Sequence, residues 1–358
     1  MTLDALVDRF GEPSLLAAGG LSVGLAFGLL AQHSKFCLRS AVIEFSTGSL
    51  SAKVSIWLLT FSAAVTATQA AIVWGFLDVS DARQLAARGS LSGAVIGGLI
   101  FGAGMILARG CAARLLVLSA TGNLRALVAG LVLTVTAQAS FRGILSPIRE
   151  RLAELWTVDG GAPRYLLSFV HAGPVFGFAL GTSWLAFAIW LARRARIGVA
   201  VGASAIGVGL SVAAGWLFTF MVAQHSFALI TINSVTFTGP SADTLMAFIN
   251  SPTVPLGFGI ALVPGVFAGS LFSAVMTKEW KLQGFHDGQS MTRYLIGAIL
   301  MGFGGMLAGG CAVGAGVTGG AIFALTGWVA LIAMWGGAMV THLVVDVRLL
   351  SPLSPART

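Results

Sequence analysis

Gly97-Gly-Leu-Ile-Phe-Gly-Ala-Gly-Met-Ile-Leu-Ala-Arg-Gly-Cys111-Ala112 reappears farther along the chain as Gly297-Ala-Ile-Leu-Met-Gly-Phe-Gly-Gly-Met-Leu-Ala-Gly-Gly-Cys311-Ala312. Eight of the sixteen aligned positions are identical, among them three spaced glycines and the closing Leu-Ala-x-Gly-Cys-Ala. A glycine-lined apolar run that ends in Gly-Cys and is used twice predicts a paired device at the middle of a membrane protein. The glycines read first as helix-packing surface, since small residues let helix backbones approach closely in lipid.

Composition fixes the class. Of 358 residues, 56% are hydrophobic and only 9% charged, and the mean hydropathy is +0.91. Apolar runs long enough to cross a bilayer recur along the chain, so the fold class expected is an all-α polytopic membrane protein. The acidic residues Asp4, Asp8 and Glu12, set against Arg9, argue against a cleaved signal peptide. The net charge of +8 sits in short loops, where insertion topology accounts for it, and gives no reason to expect nucleic acid. Three cysteines without a Cys-x-x-Cys pair suggest neither a disulfide framework nor a zinc site. No metal and no cofactor are expected.

In order, the pattern predicts nine spans and four short pieces: a span at about 14–31, a piece at 37–45, and spans at 52–77 and 91–108. A piece from Cys111 to about 120 follows, then spans at 124–141, 166–192 and 199–223 and a piece at 227–237. The chain closes with spans at 256–276 and 294–308, a piece to about 324, and a span at 327–345. Ala31-Gln-His-Ser34 ends the first span, and Ala223-Gln-His-Ser226 ends the sixth. With the Gly-Cys pair this makes two motif pairs in the same order, which predicts an internal duplication: 1–142 as the first repeat, 143–197 as an external loop plus connecting span five, and 198–358 as the second repeat with a tail. The basic cluster Arg193, Arg194 and Arg196 and the loop holding Lys278, Lys281 and Arg293 are expected on the cytoplasmic side, with the N-terminus periplasmic and the C-terminus, carrying Arg348 and Arg357, cytoplasmic. Span five then inverts the second copy, giving a pseudo-two-fold axis in the membrane plane and a site near the midplane.

Each short piece is too short to cross, and irregular backbone survives at membrane depth only when buried in protein or lining a polar cavity. The four are expected to be re-entrant half-helices. Cys37, Cys111 and Cys311 each fall where such a piece begins; the register of Ala-Gln-His-Ser gives Leu229 as the counterpart of Cys37. A helix N-terminus attracts anions through its unpaired N–H groups and dipole. A neutral thiol is a weak, polarizable donor, suited to a soft sulfur-bearing anion that must leave each station as readily as it arrives. Taken singly, each cysteine reads as a small buried hydrophobe; three at half-helix starts read as a pathway.

At Phe36-Cys37-Leu-Arg39, Gly110-Cys111-Ala-Ala-Arg114 and Gly310-Cys311-Ala-Val-Gly314 the chain resembles the YeeE/YedE family of thiosulfate (sulfur-compound) transporters, and the duplicated layout extends that resemblance across nearly its whole length. The resemblance implies an hourglass-shaped bacterial inner-membrane protein with nine spanning and four partly inserted helices. It implies import of thiosulfate, relayed between Cys37, Cys111 and Cys311 through S–H···S hydrogen bonds, and a TusA-like cytosolic sulfurtransferase as partner.

A secondary pathway set comprises His33, His225, Gln32, Gln224, Arg109 and Arg114. Intramembrane ionisable groups are functional hypotheses by default, yet the two histidines serve equally well as hydrogen-bonding caps at span ends, and the glutamines read as packing or capping. Arg109, Arg114, Lys35 and Arg39 either attract anions at the mouths or anchor at headgroups. Two rival readings stand beside thiosulfate import: a transporter or channel for another sulfur or selenium anion, and a membrane thiol oxidoreductase. The latter would want a proximal cysteine pair with a quinone or flavin site, and the sequence has no such pair.

Overall fold

The computed structural model describes residues 7, 9–226, 228–250, 255–284 and 288–349. Its helices are α1 (Glu12–Ser34), α2 (Leu38–Ser46), α3 (Ala52–Val73), α4 (Leu91–Leu107), α5 (Ala112–Ala120), α6 (Leu124–Arg142) and α7 (Ser146–Glu154). They continue as α8 (Pro174–Arg194), α9 (Val199–Gln224), α10 (Thr238–Asn250), α11 (Phe258–Met276) and α12 (Gly288–Leu307). α13 starts as a π-helix, Ala312–Thr318, and ends in one α-turn, Gly319–Ala321; α14 (Leu325–Thr341) runs on as π-helical His342–Leu349. A two-residue antiparallel ladder pairs β1 (Gly89–Ser90) with β2 (Thr157–Val158).

Among the described residues nine helices are long and apolar enough to cross a membrane, which makes this an all-α polytopic membrane fold. Helices dominate because lipid offers no partner for a free N–H or C=O, and a helix satisfies its own backbone. Between helices there is little hydrophobic drive in lipid, so close packing carries the association. α1 against α11 shows how. A Cβ on Gly20, Gly24 or Gly28 would lie 2.1, 2.5 or 2.2 Å from the carbonyl oxygens of Phe258, Leu262 and Val266, and Gly265 and Gly269 meet Leu21 and Leu25 in return.

The repeated stretch forms the central contact of the molecule. α4 crosses α12 so that Gly97 faces the Gly304 carbonyl and Gly297 faces the Gly104 carbonyl, at 2.6 and 2.7 Å from a would-be Cβ. Gly98 and Gly102 pack instead on the α14 carbonyls of Ala330 and Met334. The glycines are packing surface, as their spacing suggests. α1 also packs on α9, α9 on α3, α4 on α14 and α12 on α6. Exchanging α1 with α9, α3 with α11, α4 with α12 and α6 with α14 turns α1–α11 into α9–α3 and α4–α14 into α12–α6, and leaves α1–α9 and α4–α12 as they are. The packing of α8 on α3 has no counterpart.

Several expectations shift. The third short piece is not helical over the described residues of 227–237, and the helix is α10, beginning at Thr238. Ile230, Thr231, Ile232, Val235 and Thr236 are β-branched and give up rotamer freedom in a helix, whereas Thr238-Gly-Pro240 carries a helix-start signal. Phe227, where that piece was expected to open, lies outside the described residues. Leu229, the expected counterpart of Cys37, is fully exposed. Span five begins at Pro174 rather than near Leu166, because Gly173-Pro174 starts a helix with proline in its first turn; Leu166–Val170 is a separate 3₁₀ turn. The long loop after α6 holds α7 and β2. Asp4, Asp8 and Arg357 lie outside the described residues.

Candidate functional site

The same corner is turned three times. α1 ends with Lys35 in the left-handed region (φ 56°) and the Phe36 amide on the Ala31 carbonyl at 3.3 Å. α4 ends with Arg109 (φ 55°) and Gly110 N–H on Met105 at 3.2 Å; α12 ends with Gly309 (φ 79°) and Gly310 N–H on Gly305 at 2.9 Å. These are helix ends of the Schellman kind. After each corner the next short helix starts at a cysteine: Cys37 is the N-cap residue of α2, Cys111 of α5 and Cys311 of α13. The three thiols are free and buried, at 8%, 1% and 0% exposure.

At Cys311 the Gly314 N–H donates to Sγ at 3.4 Å. The amides of Ser40 and Arg114 hold the corresponding places toward Cys37 and Cys111, in looser contact that falls short of a full cap bond. Cys37 and Cys111, far apart in sequence, are neighbours in the fold, and Ser40 also lies beside Cys37. Arg114 and Arg39 both bring positive charge near Cys37.

Arg114 belongs to a polar chain that leads outward. Its Nη1 donates to Gln32 Oε1 at 3.3 Å, and Gln32 Nε2 donates to Glu279 Oε2 at 2.9 Å. Lys35 Nζ pairs with the same carboxylate oxygen. That hydrogen bond from Lys35 holds the Glu279 carboxyl below the usual carboxylate range, against a smaller opposing effect of desolvation. Beside the chain lies a cavity of about 400 Å³ lined by His33, Ser34, Lys35, Lys53, Ile56 and Glu279, among others. The Ser34 hydroxyl is fully buried without a partner among the described residues.

The structure therefore gathers Cys37, Cys111, Gln32 and Arg114, with His33 in the adjoining cavity. Gln224 and His225 lie elsewhere, at the end of α9. Gln224 lines a separate cavity of about 300 Å³ with Asp78 and Asp81, and His225 Nδ1 is 2.8 Å from the Met221 carbonyl. Arg109 is exposed, its guanidinium 5.9 Å from the centre of the Tyr294 ring. Arg39 lies near Cys37 and, more weakly, near Asp346, a carboxylate held by Arg293 at 2.6 Å and His342 at 3.0 Å. Among the described residues no group of three or more His, Cys, Asp or Glu is placed to hold a metal ion.

Sequence reasoning missed Glu279, Ser40 and Ser34. Glu279 had a signal, as the lone carboxylate between Lys278 and Lys281. Ser34 had one as the last residue of the repeated Ala-Gln-His-Ser motif; Ser40 had none, because its role depends on which helix ends meet.

Comparison with known proteins converges on one family. A family model described as sulphur transport matches residues 33–340. A protein of Escherichia coli (strain K12) named thiosulfate transporter TsuA is 25% identical over 353 residues, which cover 92% of this chain and 94% of that protein. A protein of the same name from Spirochaeta thermophila is 25% identical over 346 residues, covering 87% and 94%.

Proposed function

This chain belongs to the sulphur-transport family, a transport protein rather than an enzyme, and on that premise we propose that it carries thiosulfate inward across the bacterial inner membrane by relay between Cys311, Cys111 and Cys37. The observation that carries the reading is the recurrence of a buried free thiol at the start of a short helix three times over, with two of the thiols in contact. The names of the two relatives support the choice of anion.

The chemistry is that of a weak, repeated hold. The terminal sulfur of thiosulfate accepts an S–H from one cysteine and passes to the next. Each S–H is a poor donor, so no station traps the ion, while the N-terminal dipoles of α2, α5 and α13 offset its charge. Sequential weak sites are what conduction requires. Arg114, Gln32 and Lys35 form the exit on this reading, and Glu279 keeps the cations paired when no anion is present. The orientation rests on the basic cluster Arg193, Arg194 and Arg196 and the basic loop at Lys278, Lys281 and Arg293, which put that exit in the cytoplasm, where a TusA-like sulfurtransferase would take the anion. The exchange relation among helix contacts supports an inverted repeat with α2, α5, α10 and α13 as re-entrant helices, and domains divided at 1–142, 143–197 and 198–358.

The test is growth of a sulfur-auxotrophic strain on thiosulfate as sole sulfur source, with Cys37, Cys111 and Cys311 replaced singly by Ser and Ala. Loss of growth with membrane-inserted protein present is expected. Three replacements that all leave uptake intact would overturn the relay, and equal rescue by sulfate or sulfite would overturn the specificity.

A further inference from the structure

Four short helices open in the same way. The carbonyl of the capping residue accepts the amide four residues on: Cys37 from Ala41 at 3.3 Å, Cys111 from Leu115 at 2.9 Å, Cys311 from Ala315 at 2.8 Å, and Phe237 from Ser241 at 2.8 Å. Three of the four caps carry thiols. The fourth carries an aromatic ring, buried and packed on Phe27 with centroids 5.2 Å apart, so it offers no polar atom. Its two neighbours, Thr236 and Thr238, carry hydroxyls.

Thr238 is fully buried, and its Oγ1 has no hydrogen-bond partner among the described residues. Leaving a buried hydroxyl unpaired costs free energy; Thr60, Thr219 and Thr318, equally buried, donate to backbone carbonyls, while Ser34 and Thr68 share the unpaired state of Thr238 among the described residues. Thr238 stands at the start of α10, where no preceding helical turn supplies a carbonyl for such a bond. Its Oγ1 is turned to Gly305, 3.0 Å from where a Cβ would sit there, and the Gly305 carbonyl closes the corner that delivers Cys311. Thr236 Oγ1 lies over Gly314, only 2.0 Å from a would-be Cβ, and Gly314 is the residue whose N–H caps Cys311 Sγ. The two hydroxyls thus bracket Cys311, one at the glycine before its corner and one at the glycine after. The backbone just before them is pinned to α13 by Thr318 Oγ1 on the Val235 carbonyl at 2.6 Å.

We propose that Thr236 and Thr238 are the oxygen-recognising half of the anion site at Cys311, standing where the fold has a fourth cap and no fourth thiol. The inference rests on the relay reading above. Its ligand class is a tetrahedral oxyanion with one soft terminal sulfur. Such an ion has two unlike ends: the sulfur accepts from a thiol, and the hard oxygens accept better from hydroxyls. Cys311 alone grips only the soft end. With the two threonines the site reads both ends together and distinguishes the ion from sulfide, which lacks the oxygens, and from sulfate, which lacks the terminal sulfur.

The experiment measures thiosulfate uptake in cells expressing Thr236→Val, Thr238→Val, Thr238→Ser and Cys311→Ala, normalised to folded protein recovered from the membrane. Valine keeps the shape of threonine and removes only the donor. Thr238→Val is expected to lower uptake about tenfold or more at limiting thiosulfate, mainly through a raised KM; Thr236→Val is expected to act in the same direction, and Thr238→Ser to retain uptake. Inhibition of residual uptake by excess sulfate, which competes only for oxygen donors, should weaken in the valine variants. If Thr238→Val leaves little folded protein, Thr236→Val decides alone, since that side chain is only half buried. Parental uptake by the valine variants with Cys311→Ala inactive overturns this proposal and spares the relay. Parental uptake by Cys311→Ala overturns the relay itself.

Discussion

The corner at Cys111 and the corner at Cys311 are built from the same sixteen-residue pattern and differ in what surrounds them. Cys111 meets a second thiol, Cys37, and a polar chain through Arg114, Gln32, Lys35 and Glu279 that reaches the surface. Around the Cys311 corner the hydroxyls of Thr238 and Thr236 lie against Gly305 and Gly314. One end is soft and cationic, the other hydroxylic and uncharged. The difference arises outside the repeated stretch. After Ala31-Gln-His-Ser34 the chain turns at Lys35 straight into α2, whereas after Ala223-Gln-His-Ser226 the described residues 228–237 are not helical and α10 begins only at Thr238. Duplicated arms hold the two cysteines alike, and the unequal connections give each a different company. On the proposed relay, an anion passing between such ends would meet recognition at one and charge-assisted release at the other.

The largest expected effects test the likeness of the arms. Cys111→Ala and Cys311→Ala should each reduce thiosulfate uptake to background with normal protein in the membrane; a null effect at one alone would break the equivalence. Next come Gly97→Leu and Gly297→Leu. A Cβ at either position meets the Ala308 or Ala108 amide nitrogen at 2.5 or 2.4 Å, and overpacking of this kind typically costs about 1–3 kcal/mol or more. Both should leave little folded protein by size-exclusion chromatography, and to a similar degree.

A third test separates the two faces of the molecule. Arg164, 6% exposed, donates to Thr326 Oγ1 at 2.7 Å and to the Ala87 carbonyl, tying the loop after α6 to the start of α14. Arg164→Met should lower the Tm in detergent by several degrees, because hydrogen bonds to a charged group are worth about 1.5–3 kcal/mol each. At the other face, Glu279→Gln should change Tm little, as befits a partly exposed pair, but should alter its pH dependence. The carboxyl ionises below its ordinary range in the folded protein. Its tie to Lys35 therefore contributes above that range and is lost as pH falls through the lowered value. A melting series into acid should show that decline in the parent and not in the variant.

The smallest effect concerns the two corners directly. Arg109 occupies with φ 55° the position that Gly309 holds with φ 79°, and a left-handed conformation costs a non-glycine residue about 1–2 kcal/mol. Arg109→Gly should raise Tm slightly or leave it unchanged, while Gly309→Arg should lower it.

Nine spans, glycine-mediated packing and the three cysteines at short-helix starts were legible because each leaves a local mark: a run of apolar residues, a glycine period, a Gly-Cys junction. The start of α10 was misplaced because a motif match at Ala223–Ser226 was extended into a segment whose β-branched residues oppose a helix. The counterpart of Cys37 could not be found by register for the same reason: connections of unequal length displace sequence equivalence from spatial equivalence.

By itself the sequence determined the class of the protein and the glycine faces on which its helices pack, since hydropathy and glycine spacing act within single helices. Only the tertiary structure decided that Cys37 lies against Cys111, that Glu279 pairs with Lys35 and Gln32, and that an unpartnered Thr238 stands beside the Cys311 corner. Each of these depends on the angle and depth at which separate helix ends meet, and helix–helix packing across the whole bundle sets that geometry.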